Sequence, residues 1–566
     1  MLLHTTFITP LLAFAAGTAA SVAFTADMPL IGPSFSANFD PSDSKAIRSA
    51  KAEFPSLMEG LFSAGTLNRT DLVFAVDVFS AATNKSLFNY YHVGEGQNAT
   101  LTCGELNDQT VGRLGSVSKI FTVYAILATA GMEVFSHPVT RYLPELAGNP
   151  SSDSLDRIVW EDVTVGALAS QQAGSGGAGD LLQQHESLSD FTTPVLLEFM
   201  RKKRPVISPF RNAVYSDTGF ALLGVVLERL SGRSYKDALQ QSVFNPLGLH
   251  NMSTTVPNGT DVNAINRLPL SNTSSWGLEI PIVTPSGGIY SNGADLRTAG
   301  LSILNSELLS AATTRAWMKP LSGTGSLVEL VGAPWEIARL MIPVTPGSNR
   351  TRVSDLYTKA GGNGDYTCIF ALSPDHGIGY SILIAGATAS AARWPLRDLV
   401  GETFIPAMEH AAAQNGRRNF AGTFVDETAE GTNLTITVDE GRPGLGLESF
   451  YINGTESRAI LLGATKPANI SARLYPTGPN SYSRSLASLY KTNGTIRLAY
   501  RMLGQPWTPL PRATVEGGKK SLFDNTFAWM NLDFFGPMDE FVLEVVDGRL
   551  ESVSSTGTKT VLKRVD

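Results

Sequence analysis

Cysteine is nearly absent: Cys103 and Cys368 are the only two in 566 residues. Two thiols build neither a disulfide scaffold nor a four-thiolate zinc site, so packing must hold the fold. The pair either forms one bridge or stands as two separate thiols. Sequence spacing does not decide this, because a bridge needs the two Cα atoms within about 7 Å. Charge is also sparse, at 17% of residues with a net −7. No run of five basic residues occurs, and "RKKRP" at Arg201–Pro205 is the nearest approach. A mildly acidic chain without a basic block argues against a nucleic-acid partner. The seven histidines show no H-x-x-x-H spacing, and no G-x-S-x-G is present. The first absence speaks against a zinc hydrolase and the second against an α/β-hydrolase nucleophile elbow. Neither a metal nor another cofactor is therefore expected. Beyond the N-terminal segment no apolar stretch reaches the roughly 20 residues of a membrane span, so no stable membrane anchor is expected.

What is present begins with "MLLHTTFITPLLAFAAGTAASVAFT". An apolar run from about Leu11, followed by small residues near Ala19–Ala23, reads as a secretory signal over 1–22, although its start lacks Lys and Arg. Export is the expectation, and N-x-S/T acceptors along the whole chain agree with it. They stand at Asn68, Asn84, Asn98, Asn251, Asn258, Asn272, Asn349, Asn433, Asn453, Asn469 and Asn493.

The texture divides in two. "LVFAVDVFS" and "KSLFNYYHVG" alternate as strands, and apolar helical stretches and glycine-rich loops follow. "YTKAGGNGDYTCIFALSPDHGIGYSILIAG" reads as two further strands, with the helix "WPLRDLVGETFIPAMEHAAAQ" after them. From about Gly416 short alternating segments such as "FAGTFVDE", "NLTITVDEG" and "TIRLAYRM" are separated by turn residues. The fold class expected is α+β over 23–415, followed by a β-rich domain over 416–566.

The chemistry centres on "LGSVSKIFTVYAILATAG", Leu114–Gly131. Ser116 and Lys119 stand at i and i+3, which share a helix face. The pattern S-x-x-K also occurs at Ser42/Lys45, in a polar segment, and at Ser488/Lys491, in a strand-like stretch where i and i+3 point to opposite faces. Only Ser116 opens an apolar helix, where a helix N-terminus favours developing negative charge and Lys119 would hold or accept the serine proton. A plain helix cap is the competing reading, and Ser118 suits that structural part better than Ser116 does.

"GSVSKIFTVYAIL" together with "HPVTRYLPEL" resembles the serine β-lactamase/penicillin-binding-protein superfamily, in its class C-like esterase and D-aminopeptidase branch and especially its secreted fungal β-lactamase-like members. The resemblance implies a β-lactamase/transpeptidase-like domain, with an antiparallel sheet flanked by helices plus a helical region. It implies Ser116 as nucleophile, with a Tyr-x-Asn motif and a Lys-x-Gly strand beside it. Two candidates fit the tyrosine motif. Tyr215, in "VYSDTGFALLG", precedes an apolar helix, while Tyr290, in "IYSNGADL", is the literal match but lies in a later glycine loop. Tyr215 is preferred, and its motif carries Asp217 where the family has Asn. An ionised Asp cannot donate to a substrate carbonyl but can pair with Lys119, which shifts the base role to Tyr215 and favours esters over amides. Lys359-Ala360-Gly361 is the one K-x-G of the chain. By resemblance Lys359 would hold Tyr215 as phenolate or meet a substrate carboxylate, and the N–H groups of Ser116 and Gly362 would form the oxyanion hole. Gln171, where related esterases carry His, would either touch the acyl amide or order its loop. The activity implied is two-step acyl transfer on a small ester, amide or peptide-like substrate. The alternatives are a silent acyl- or peptide-binding relative and a hydrolase of a secondary-metabolite pathway, and the C-terminal domain would either bind glycans or shield the site.

Overall fold

A computed structural model describes residues 30–148, 153–177, 191–257, 262–272, 274–345, 348, 350–458, 470–481, 494–506, 532–533 and 537–565. The chain divides into two compact units, one of Arg48–Leu340 with Asp355–Ile405, the other of the residues up to Ile47 with Met341–Ser354 and Pro406–Asp566.

The strands of the first sheet are, in chain order, β1 (Val73–Ser80), β2 (Lys85–Val93), then, after the two-residue pair β3 (Gly112–Arg113) and β4 (Tyr290–Ser291), β5 (Ser322–Gly323), β6 (Glu329–Val331), β7 (Glu336–Pro343), β8 (Thr351–Asn363), β9 (Tyr366–Ser373) and β10 (Ile378–Ala385). They lie in the order β2-β1-β10-β9-β8-β7-β6-β5. The central strands β9 and β10 are buried along their whole length, as strands covered on both faces must be. Helix α1 (Lys45–Ser63) is on one face, where its Phe54 meets Phe88 and Phe404 and its Phe62 meets Phe74. Helix α2 (Ser118–Ala130) is buried from Ser118 to Leu127. Helix α3 (Asp217–Ser231) is buried from Thr218 to Leu227. An apolar helix with no polar stripe belongs inside a core, and these two pack in one cluster. On the opposite sheet face from α1, helix α4 (Gly293–Leu304) approaches β1 closely: a Cβ on Gly300 would stand 2.5 Å from the Phe79 ring. Helix α5 (Ala389–Asn419) follows β10 and carries Phe404.

The second sheet contains β11 (Gly422–Val425), β12 (Asn433–Thr437), β13 (Leu445–Ile452), β14 (Thr455–Glu456), β15 (Ile470–Ser481), β16 (Thr495–Pro506), β17 (Glu540–Val546), β18 (Arg549–Ser555) and β19 (Thr560–Arg564). Its order runs β12-β11-β19-β18-β17-β16-β15-β13-β14, and β12 also pairs with β13. That extra pairing closes the sheet into a barrel and leaves the two-residue β14, which pairs with β13, at its edge. Burial alternates along β12 and β17, which puts Leu434, Ile436, Phe541, Leu543 and Val545 inside.

The cysteines form no bridge. Cys368 is buried in β9 opposite Gly361, whereas Cys103 is exposed in a loop, and both are free thiols. Burial pushes the Cys368 thiol pKa up, away from thiolate chemistry. The signal segment 1–22 and the acceptors Asn258, Asn349, Asn469 and Asn493 lie outside the described residues. Asn68, Asn84, Asn98, Asn251, Asn272 and Asn453 are exposed, and Asn433 is half-buried. Among the described residues no helix is long and apolar enough to cross a membrane.

Candidate active site

Ser116 lies in a 3-10 turn, Gly115–Val117, immediately ahead of α2 and not inside it. The turn depends on Gly115, whose φ is +53°. A Cβ there would stand 2.5 Å from the Gly362 nitrogen. Gly361 is equally constrained: a Cβ would collide with the Leu114 carbonyl and lie 2.8 Å from the Ser116 nitrogen. Two glycines on facing segments thus let the tip of β8 lie against the serine turn. The neighbouring Ser118 is fully buried, and its hydroxyl accepts the Ile289 N–H at 3.0 Å, a structural part.

Lys119, one turn on, has no exposed side-chain surface. Its ammonium donates to Ser116 Oγ at 3.0 Å, Asp217 Oδ1 at 2.6 Å and the Ser286 carbonyl at 2.7 Å. Three acceptors use up the three donors of an ammonium group. Tyr215 comes from the residues ahead of α3. Its hydroxyl donates to Ser116 Oγ at 2.6 Å, and the residue is 47% exposed. Lys119 and Lys359 flank that ring, with ammonium nitrogens 4.9 Å and 5.2 Å from its centre. Asp217, the first residue of α3, reaches Lys119 from a side chain 55% exposed. Tyr290 is elsewhere: it is buried, and its hydroxyl donates to the Trp276 carbonyl.

The turn bearing Tyr215 is held by Gln171. Gln171 adopts φ +63°, and its Oε1 accepts the Ser216 N–H at 2.8 Å. Ser216 Oγ in turn accepts the Gly219 N–H and caps α3. Gln171 therefore orders its loop, and its Nε2 is buried without a partner among the described residues.

Lys359 lies on β8 and is almost fully buried. Its partner is Glu336, the first residue of β7, which sequence reading missed. One Glu336 oxygen accepts from Lys359 and the other accepts the Ala360 N–H at 2.8 Å. Burial works against the Lys359 charge, but the Glu336 carboxylate, Tyr215 and Asp217 outweigh it and hold the ammonium pKa above its ordinary value. The strand β8 outruns β7, whose first residue meets Thr358 through the Thr358 hydroxyl and the Glu336 carbonyl. The β8–β9 hairpin closes with the pair Asn363–Tyr366, so Gly361 faces Cys368 in a hydrogen-bonded pair and the Gly362 N–H turns outward, toward the serine turn. Among the described residues no group of three or more His, Cys, Asp or Glu is placed to hold a metal ion.

An antiparallel sheet backed by helices, with a serine at the mouth of a buried helix and a lysine one turn on, defines the β-lactamase-type fold. A family model described as "Beta-lactamase" matches residues 81–402, and a second, described as "Beta-lactamase-like-like, C-terminal domain", matches 411–566. The chain belongs to the β-lactamase family, whose curated members include fungal hydrolases. It is 29% identical over 458 residues, 72% of this chain and 73% of the other, to a "Beta-lactamase-like protein" of Arthroderma benhamiae. It is 26% identical over 435 residues, 68% of each chain, to the "Probable hydrolase clz13" of Cochliobolus lunatus. A stretch of 160 residues, 28% of this chain and 38% of the other, is 32% identical to the "Beta-lactamase" of Escherichia coli.

Proposed function

We propose that this protein is a secreted serine hydrolase that works through an acyl-enzyme on Ser116 and prefers esters. The observation that carries the reading is that one hydroxyl, Ser116 Oγ, lies within hydrogen-bond reach of both Tyr215 and Lys119. Lys119 has all three donors engaged and acts as a fixed cation. For turnover the half-exposed Tyr215 must first release its own proton to solvent; as phenolate it is then the base, with two ammonium groups beside its ring. Tyr215 takes the serine proton as Ser116 Oγ bonds to the substrate carbonyl carbon. The carbonyl oxygen gains the charge and rests on the N–H groups of Ser116 and Gly362. Collapse expels the alkoxide or amine, which takes the proton back from Tyr215. Water, an alcohol or an amine, deprotonated by Tyr215, then releases the acyl group. Asp217 offers only acceptors where an Asn would donate to an amide carbonyl, which supports esters over amides.

The test is covalent labelling with a fluorophosphonate probe. Labelling of the wild type that vanishes in a folded Ser116→Ala protein supports the reading, and labelling that survives the substitution refutes it. Secretion is supported by the N-terminal segment and the exposed acceptor asparagines. Expression in a eukaryotic secretory host should deliver the protein to the medium with a mass that falls on deglycosylation; retention inside the cell would contradict it.

A further inference from the structure

The site holds two buried lysines, and each already has a carboxylate: Asp217 for Lys119 and Glu336 for Lys359. The two lysine charges are therefore each matched before any substrate arrives. Arg393, carried by α5, donates from Nη1 to the Gly361 carbonyl at 3.4 Å and approaches β8 from the face turned away from the serine turn. A Cβ on Gly362 would come within 3.3 Å of Arg393 Nη1, whereas one on Gly361 faces the serine turn, and successive Cβ positions alternate across a strand. Glu336 also occupies the outward edge of β8, because its second oxygen takes the Ala360 N–H, two residues before the outward N–H of Gly362. Its side chain is 39% exposed, so it lines the approach and is not sealed beneath it.

Resting on the hydrolase reading above, we propose that Glu336 determines specificity: the site takes acyl compounds that are neutral around the scissile carbonyl and rejects those carrying a carboxylate beside it. A substrate lying along the β8 edge with its carbonyl oxygen on Gly362 N–H brings its next substituent toward Ala360 and Lys359. A carboxylate there meets the Glu336 anion and finds Lys359 already neutralised, and like charges at such range repel. A neutral group meets neither obstacle. Burial opposes the Lys359 charge, but Glu336 beside it holds the ammonium pKa above its usual value, so Lys359 keeps both its charge and this partner.

The experiment compares two aryl esters of matched shape, one with a carboxylate beside the scissile carbonyl and one with a carboxamide in its place. Wild type is expected to prefer the neutral ester in kcat/KM by on the order of tenfold, and the preference should shrink at high salt. Glu336→Gln keeps the shape and a hydrogen-bond acceptor. It should narrow the ratio by on the order of tenfold, mainly through a lower KM for the anionic ester. Turnover of both esters without a wild-type preference overturns the proposal, as does a preference independent of salt. A Glu336→Gln protein that loses both activities equally shows a structural part only and also overturns it. Should that variant not fold, the salt dependence of the wild-type ratio still decides. Absence of Ser116-dependent turnover of either ester would instead sink the hydrolase reading, and this proposal with it.

Discussion

Tyr215→Phe isolates the base. The substitution removes one oxygen, whose partner among the described residues is Ser116 Oγ at 2.6 Å. The ring stays and its contacts with the two ammonium groups remain possible, since they run to the ring and not to the hydroxyl. With the residue 47% exposed, losing one hydrogen bond should cost the fold no more than about 1 kcal/mol. Positioned general-base catalysis contributes roughly 10²–10⁴-fold, which corresponds to about 3–5.5 kcal/mol of barrier. The predicted signature is thus a kcat/KM on an aryl ester reduced by two to four decades (roughly) with an almost unchanged melting temperature. Steady-state hydrolysis with a chromogenic ester measures the first, and thermal denaturation the second. Retention of activity within about threefold would refute the assignment and return the base role to Lys119.

Two further outcomes follow from the geometry. Gly361→Ala forces a methyl into the Leu114 carbonyl and the Ser116 nitrogen, so the strand and the serine turn must separate. The expected cost is about 1–3 kcal/mol in urea denaturation, with a larger loss of activity than of stability because the oxyanion donors move apart. His92, stacked on Phe74 with the Phe62 ring tilted against it, has a pKa lowered by burial, with its hydrogen bond to the Arg69 carbonyl opposing and the Arg69 charge assisting. Its folded-state pKa lies below the unfolded value near 6.5, so the unfolded chain binds the proton first. The stability this residue supplies is complete above about pH 6.5 and is lost as pH falls from there through the folded pKa. The melting temperature should drop on acidification, and His92→Phe should make the drop smaller; an unchanged slope would contradict the assignment.

How far the sequence reached can be seen residue by residue. Ser116 stood out because its S-x-x-K opens an apolar helix, and apolar patterning is a local property that survives without coordinates. Tyr290 matched the motif letter for letter, but its hydroxyl is committed to the Trp276 carbonyl, while Tyr215 reaches the serine. Glu336 carried no signal: it sits in "GAPWEIARL", and its place beside Lys359 follows from where β7 starts along β8, a register fixed across 23 residues of chain. The Ser286 carbonyl that receives Lys119 was equally hidden, since backbone groups have no sequence identity. In the C-terminal unit the alternating strands were readable, but the β12–β13 pairing that closes the barrel was not. The cysteines stayed undecided for the same reason, because whether two thiols meet depends on long-range placement.

The two carboxylates explain each other. A lysine with no exposed surface is costly unless its charge is matched and its donors are filled. Lys119 meets that demand with Asp217, the Ser286 carbonyl and Ser116 Oγ, and Lys359 meets it with Glu336 and the Ala360 carbonyl. Had Asp217 been Asn, Lys119 would lack a carboxylate partner in this arrangement. With Asp217 present the ammonium donors are satisfied, and on the proposed mechanism Lys119 stays out of proton transfer and leaves it to Tyr215. On the proposed mechanism, the residue that departs from the family pattern thus decides which side chain moves the proton and, with Glu336, how the two lysine charges are matched before an anionic substrate arrives.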